Sequence, residues 1–108
     1  MSTTASLSMG SVAILHAIAS GSRFGFDIMD ATGLTSGSVY PALDRLESLG
    51  LVSSEWEDER VARRDKRPAR RYFTLTGEGE LALADALRRY KQMRPLRGLG
   101  LSAEPRKA

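Results

Sequence analysis

At Gly50 the spacing of apolar residues changes period, and no other feature of the chain restricts its fold as much. Before that point, in TSGSVYPALDRLESLG, Val39, Leu43, Leu46 and Gly50 lie on one stripe flanked by Ala42 and Leu49, which predicts a helix over about 36–49. Gly37, Tyr40, Pro41, Asp44 and Ser48 then point away from the packed face. After Gly50, LVSSEWE and RRYFTLT are dense in β-favouring residues, with Val52, Ser54 and Trp56 on one side of the first, and predict an antiparallel pair. Pro41 fits the helix only if the regular turns begin near Ser38 or if the helix bends, because proline beyond the first turn removes a backbone hydrogen bond.

The connection between the two strands, about 13 residues from Asp58 to Arg70, far exceeds the two to five usual in hairpins. It is expected to be an extended loop. Its core, VARRDKRPARR, sets Arg63, Arg64, Lys66, Arg67, Arg70 and Arg71 against the single acid Asp65. That window carries +5 of a net charge of +3, so the rest of the chain sums to −2. A concentrated patch of this kind focuses potential at one place and suits a polyanion, although such runs are often no more than solvated surface.

Ahead of the stripe, SMGSVAILHAIASG predicts a helix that is apolar nearly all round, capped by Ser8 and stopped by Gly21, and therefore buried or shared with a partner chain. GFDIMDAT predicts a short helix over about 25–32 with Phe26, Met29 and Ile28 inward and Asp27 and Asp30 outward, ended by Gly33. Thr76 caps a last helix, GEGELALADALRRYKQM, with Glu78 and Glu80 at its positive end and Arg88, Arg89 and Lys91 toward its negative end. On that helix Leu83, Ala86, Leu87, Tyr90 and Met93 recur at three and four, a stripe that serves either a dimer seam or packing on the first helix. The chain divides accordingly into a flexible stretch over 1–7, a main domain over 8–76, a dimerisation helix over 77–93 and a disordered tail over 94–108.

Composition narrows the function. With 108 residues and 42% apolar content the chain can build one modest core. It has no cysteine and one histidine, His16, which excludes disulfides, thiolate metal sites and a histidine cluster. No Ser-His-Asp set, supported carboxylate pair or Gly-rich phosphate loop can be assembled, so no enzyme, cofactor or metal is expected. The N-terminus lacks the basic region of a signal peptide and no segment reaches the length of a membrane span, so a cytoplasmic protein is expected.

Helix, helix, tight turn, helix, hairpin with a long basic loop, and a final helix make an α+β, mostly α, winged helix-turn-helix. In that fold the third helix enters the major groove of duplex DNA and the hairpin loop follows the backbone toward the adjacent minor groove. The residues expected on DNA are Ser36, Gly37, Ser38, Tyr40, Pro41 and Arg45 from the helix, with Arg63, Arg64, Lys66, Arg67 and Arg70 from the wing. Asp44 and Glu47 bring negative charge near the same groove. Leu15, Ile18, Leu83, Leu87, Tyr90 and Met93 are the expected dimer interface. The competing reading is a winged-helix module that meets an acidic protein or RNA through the same wing.

From about Leu7 to Met93 the chain resembles the PadR family of bacterial transcriptional regulators, most specifically in SGSVYPALDRLESLGLV with its serine-glycine turn, Tyr-Pro pair, Leu-x-x-Leu-Glu stretch and Gly-Leu. The resemblance implies a homodimer that binds palindromic operators, often as a repressor, with Ser36, Ser38, Tyr40 and Pro41 on the recognition helix. It also implies dimerisation through the first and last helices. Some members release DNA on binding a small aromatic or drug-like effector beside a tryptophan of the last helix. Here the only tryptophan, Trp56, belongs to a strand, and the resemblance does not extend to that pocket.

Overall fold

The computed structural model describes residues 7–92. In chain order these form α1 (Met9–Ala19), α2 (Gly25–Thr32), α3 (Ser36–Ser48), β1 (Val52–Trp56), α4 (Glu59–Arg64), β2 (Arg71–Leu75) and α5 (Gly77–Gln92). The elements are those of an α+β, mostly helical, winged helix-turn-helix. Met93, the stretch over 1–6 and the tail over 94–108 lie outside the described residues, while Leu7 packs against the core.

Ser8 caps α1 as expected, its Oγ accepting from the Ser11 backbone N–H at 3.1 Å. α2 ends on Gly33 in the left-handed region at φ 77°, where its N–H donates to the Met29 carbonyl at 2.8 Å. The inward face of α2 differs from the expectation: Ile28 is fully buried and Met29 partly packed, but Phe26 is 71% exposed. Gly25 explains the rotation. It is buried against the Tyr40 ring so closely that a Cβ would overlap the phenol, and the next residue therefore points outward.

α3 begins at Ser36, with the Thr35 carbonyl accepting from Ser38 and Val39 at 3.0 and 2.9 Å. Pro41 consequently stands inside the helix, beyond its first turn. The acceptor it leaves unserved is the carbonyl of Gly37, a residue exposed to water. Val39, Ala42, Leu43 and Leu46 form the buried stripe, whereas Leu49 and Gly50 are exposed. The chain turns there through Gly50 at φ 79°, the Leu51 N–H donates to the Leu46 carbonyl, and Leu51 takes the core position expected for Leu49.

β1 and β2 pair antiparallel from Val52↔Leu75 to Trp56↔Arg71. Val52 and Phe73 reach the core, while Trp56, on the same side as Val52, lies past its edge and is exposed. A short extra bridge, Phe24↔Tyr72, lines the free edge of β2, and the Phe73 N–H donates to the Arg23 carbonyl at 2.7 Å. The inter-strand connection is not the open loop its length suggests. Asp58 caps α4 by accepting from the Arg60 N–H at 2.8 Å, Ala62 is buried, and the chain reverses at Lys66 with φ 57°.

Thr76 caps α5, accepting from the Gly79 N–H at 3.0 Å and donating to the Gly50 carbonyl at 2.7 Å. Gly79 lies directly on the Leu51 carbonyl, an approach that leaves no room for a side chain. Ala82 and Leu83 then join Ile14, Leu15 and Ile18 of α1 in one core with Ile28, Val39, Leu43, Leu46 and Phe73. Each fully buried aliphatic side chain contributes about 1.5–3 kcal/mol, so α5 is part of the protomer's own fold. Leu15, Ile18 and Leu83, expected in a dimer seam, belong to this core.

Candidate nucleic-acid interface

The outward side of α3 presents Ser36, Gly37, Ser38, Tyr40, Pro41, Asp44 and Arg45, all exposed. They lie there because the opposite stripe is buried and α2 covers only the flank near Gly25. Tyr40 is half-exposed and its hydroxyl rests on Gly25, so the ring links α3 to the start of α2. Arg45 opens with Ser38 and Pro41 into a cleft of about 340 Å³ beside Ser8 and Ser11 at the start of α1.

The acids of α3 are not bare. Arg71 Nη2 donates to Glu47 Oε1 at 2.5 Å and its Nε donates to Ser54 Oγ at 3.1 Å, while Ser54 Oγ donates to Glu47 Oε2 at 2.8 Å. Asp44 lies 3.8 Å from the same guanidinium. Of the two carboxylates expected to repel a polyanion, Glu47 is therefore tied to an arginine of β2, which also fixes the wing to α3, while Asp44 stays largely exposed.

Glu57 organises the base of the wing. Its side chain is 7% exposed and accepts from Arg67 Nη1 and Nη2 at 2.7 and 2.8 Å, from the Arg70 backbone N–H at 3.1 Å and from the Tyr72 hydroxyl at 3.4 Å. The hydrogen bonds from the Arg67 guanidinium, reinforced by the Arg70 N–H and outweighing desolvation, hold its carboxyl down at about 2. Arg67 also reaches Asp65 at 3.3 Å. Above this hub the Arg70 guanidinium stacks on Phe24 at 4.1 Å, Phe24 meets Tyr72 edge-on at 5.8 Å, and Arg23 lies over Tyr72 at 5.4 Å.

The basic window thus divides. Arg67, Arg70 and Arg71 hold the wing together, so Arg67 and Arg70, expected on DNA, also have partners within the protein. Arg63, Arg64 and Lys66 are exposed and make no side-chain hydrogen bond or ion pair among the described residues. Arg60 turns back to Asp58 at 2.9 Å. Sequence reasoning missed Glu57 and Arg60; the run of acids in EWEDER just ahead of the basic window was the available signal, and only the hairpin register gives it meaning.

On α5, Leu87 and Tyr90 remain at least partly open, and Leu81, outside the expected stripe, is 72% exposed. Leu87, Ala84, Leu75 and Ile18 line a groove of about 550 Å³ between α1, β2 and α5. Among the described residues no group of His, Cys, Asp or Glu could hold a metal ion, and no helix is long and apolar enough to cross a membrane.

Known structures share this architecture. A PadR family transcription regulator from Clostridium difficile R20291 superposes with a TM-score of 0.73 at 22% identity, over 88% of this chain and 100% of that one. A PadR-like transcription factor from Bacteroides fragilis gives 0.69 at 26% identity, over 81% and 84%. BpsR of Bordetella bronchiseptica, described as a DNA-binding protein regulated by 6-hydroxynicotinic acid, gives 0.67 at 18% identity, over 84% and 64%. No curated protein matches the sequence. The model of the transcriptional regulator PadR-like family matches residues 14–85, from the first core residue of α1 to the middle of α5, and the chain belongs to that family.

Proposed function

We propose that the protein is a homodimeric, sequence-specific regulator of transcription, a repressor, that grips duplex DNA with α3 in the major groove and α4 of the wing on the backbone toward the adjacent minor groove. Family membership supports DNA binding by a dimer. The observation that carries the finer reading is the Arg71–Glu47 bridge, which joins the wing to α3 and neutralises the Glu47 carboxylate that otherwise opposes binding there. Ser36, Ser38, Tyr40 and Arg45 then supply donors for phosphates and base edges, with Gly37 and Pro41 allowing close approach. Arg63, Arg64 and Lys66 supply the phosphate-neutralising charge.

The second protomer is assigned to the α5 surface around Leu81, Ala84, Leu87 and Tyr90, where the groove beside β2 leaves apolar side chains uncovered. That assignment leaves the groove to a helix of the partner rather than to a small aromatic effector. Two such protomers read a palindromic site. Selection of bound duplexes from a random pool tests the whole reading. Recovery of an inverted repeat whose binding weakens steeply with salt is expected, whereas a pool with no enriched sequence, or a flat salt response, favours a protein- or RNA-binding module.

A further inference from the structure

Trp56 is the only tryptophan of the chain and is 66% exposed, an unusual situation for the largest side chain in a small protein. Its direction is set by the hairpin. Val52, Ser54 and Trp56 share one side of β1, and Ser54 donates to Glu47 of α3 from that side at 2.8 Å. Opposite Trp56 in the register stands Arg71, whose guanidinium reaches Glu47 and lies 3.8 Å from Asp44 on the outward face of α3. The indole therefore faces the flank of the recognition helix. In the chain it stands two residues before Asp58, the cap of α4, which carries Arg63 and Arg64. Along the chain Trp56 thus lies between the strand pair that Arg71 ties to α3 and the start of α4, the two elements assigned to grip one duplex.

We infer that Trp56 is a direct contact to duplex DNA, packing its ring on the deoxyribose and backbone between the groove read by α3 and the phosphates held by α4. This deepens the duplex-binding reading and rests on it. An indole suits that position because it offers a large rigid apolar face and a single N–H donor for a phosphate oxygen. Its contribution comes from apolar contact rather than charge, so it adds affinity without adding to the counterions released.

Because no other tryptophan of this chain emits, the 108-residue chain reports the contact directly. Titration with a fluorescein-labelled random-sequence duplex at low salt is followed by label anisotropy and by Trp56 emission with acrylamide quenching. The expected result is an emission change with the same midpoint as the anisotropy, and acrylamide accessibility reduced at least about twofold. Anisotropy that rises while emission and quenching stay constant overturns the contact but leaves DNA binding intact; no rise at all overturns both. Trp56→Ala is expected to raise Kd about fivefold at every salt concentration with an unchanged salt slope, and Trp56→Phe to recover most of the loss. A Trp56→Ala protein that keeps parental Kd, or an emission change that follows dilution of the protein without DNA, contradicts the assignment.

Discussion

Single side chains decide how the wing is held, and Glu57 is the clearest case. Its carboxyl lies at about 2 in the folded chain against an ordinary 4.5, so the stability it contributes is present above pH 4.5 and is lost as pH falls through about 2. Glu57→Gln is expected to lower the melting temperature at neutral pH and to converge with the parent between pH 4.5 and 2, as followed by thermal unfolding across that range. A gap that stays constant with pH assigns the loss to something other than the carboxylate. Arg71 gives a second case. Arg71→Ala is expected to weaken duplex binding by exposing Glu47 and Asp44 to the phosphates, and Glu47→Gln added to it is expected to restore part of the affinity. Absence of rescue in that double variant indicates that Arg71 itself meets DNA. Neither role could be read from the chain alone: a glutamate in EWEDER and an arginine at the end of a basic run look like solvated charge until the register sets them beside Arg67 and Glu47.

Elements were more legible than contacts. The stripe over Val39, Ala42, Leu43 and Leu46, the caps Ser8 and Thr76, and the β pair are periodic or chemically marked, and the structure has them at the expected positions. The helix α4 was not legible, because six residues rich in arginine contain less than two turns of pattern and only one buried residue, Ala62. Phe26 and Leu49 went outward because tertiary neighbours, the Tyr40 ring on Gly25 and the turn that puts Leu51 in the core, overrode the local spacing. The wing helix leads to a prediction that separates binding from architecture. Replacing Arg63, Arg64 and Lys66 by Ala is expected to flatten the slope of log K against log salt by about 3 for each wing engaged, with unchanged thermal stability. Arg67→Ala is expected to do the reverse, lowering stability first because it strips the Glu57 carboxylate of its bidentate partner. Equal effects of the two sets on the salt slope contradict the division of the basic window.

At the scale of the whole molecule, one core holds α1, α2, α3, the hairpin and α5 in a single unit, and the α5 face with its adjoining groove leaves apolar side chains uncovered. Leu87→Glu introduces a charge there and is expected to convert dimer to monomer in sedimentation equilibrium while the helical circular dichroism persists. A dimer that survives the change moves the interface elsewhere. Because each protomer presents one α3 and one wing, the proposed dimer is expected to fix the spacing of two half-sites, with helix and wing of each protomer acting on adjacent grooves of one duplex. Hydroxyl-radical footprinting of a selected duplex, with the parent and with the Arg63→Ala, Arg64→Ala, Lys66→Ala protein, tests this most directly. The parent is expected to protect, in each half-site, the strand across the major groove read by α3 together with the adjoining minor-groove edge, and the triple variant to lose only the latter. Identical footprints from the two proteins, or a footprint without flanking protection in the parent, contradict the joint grip.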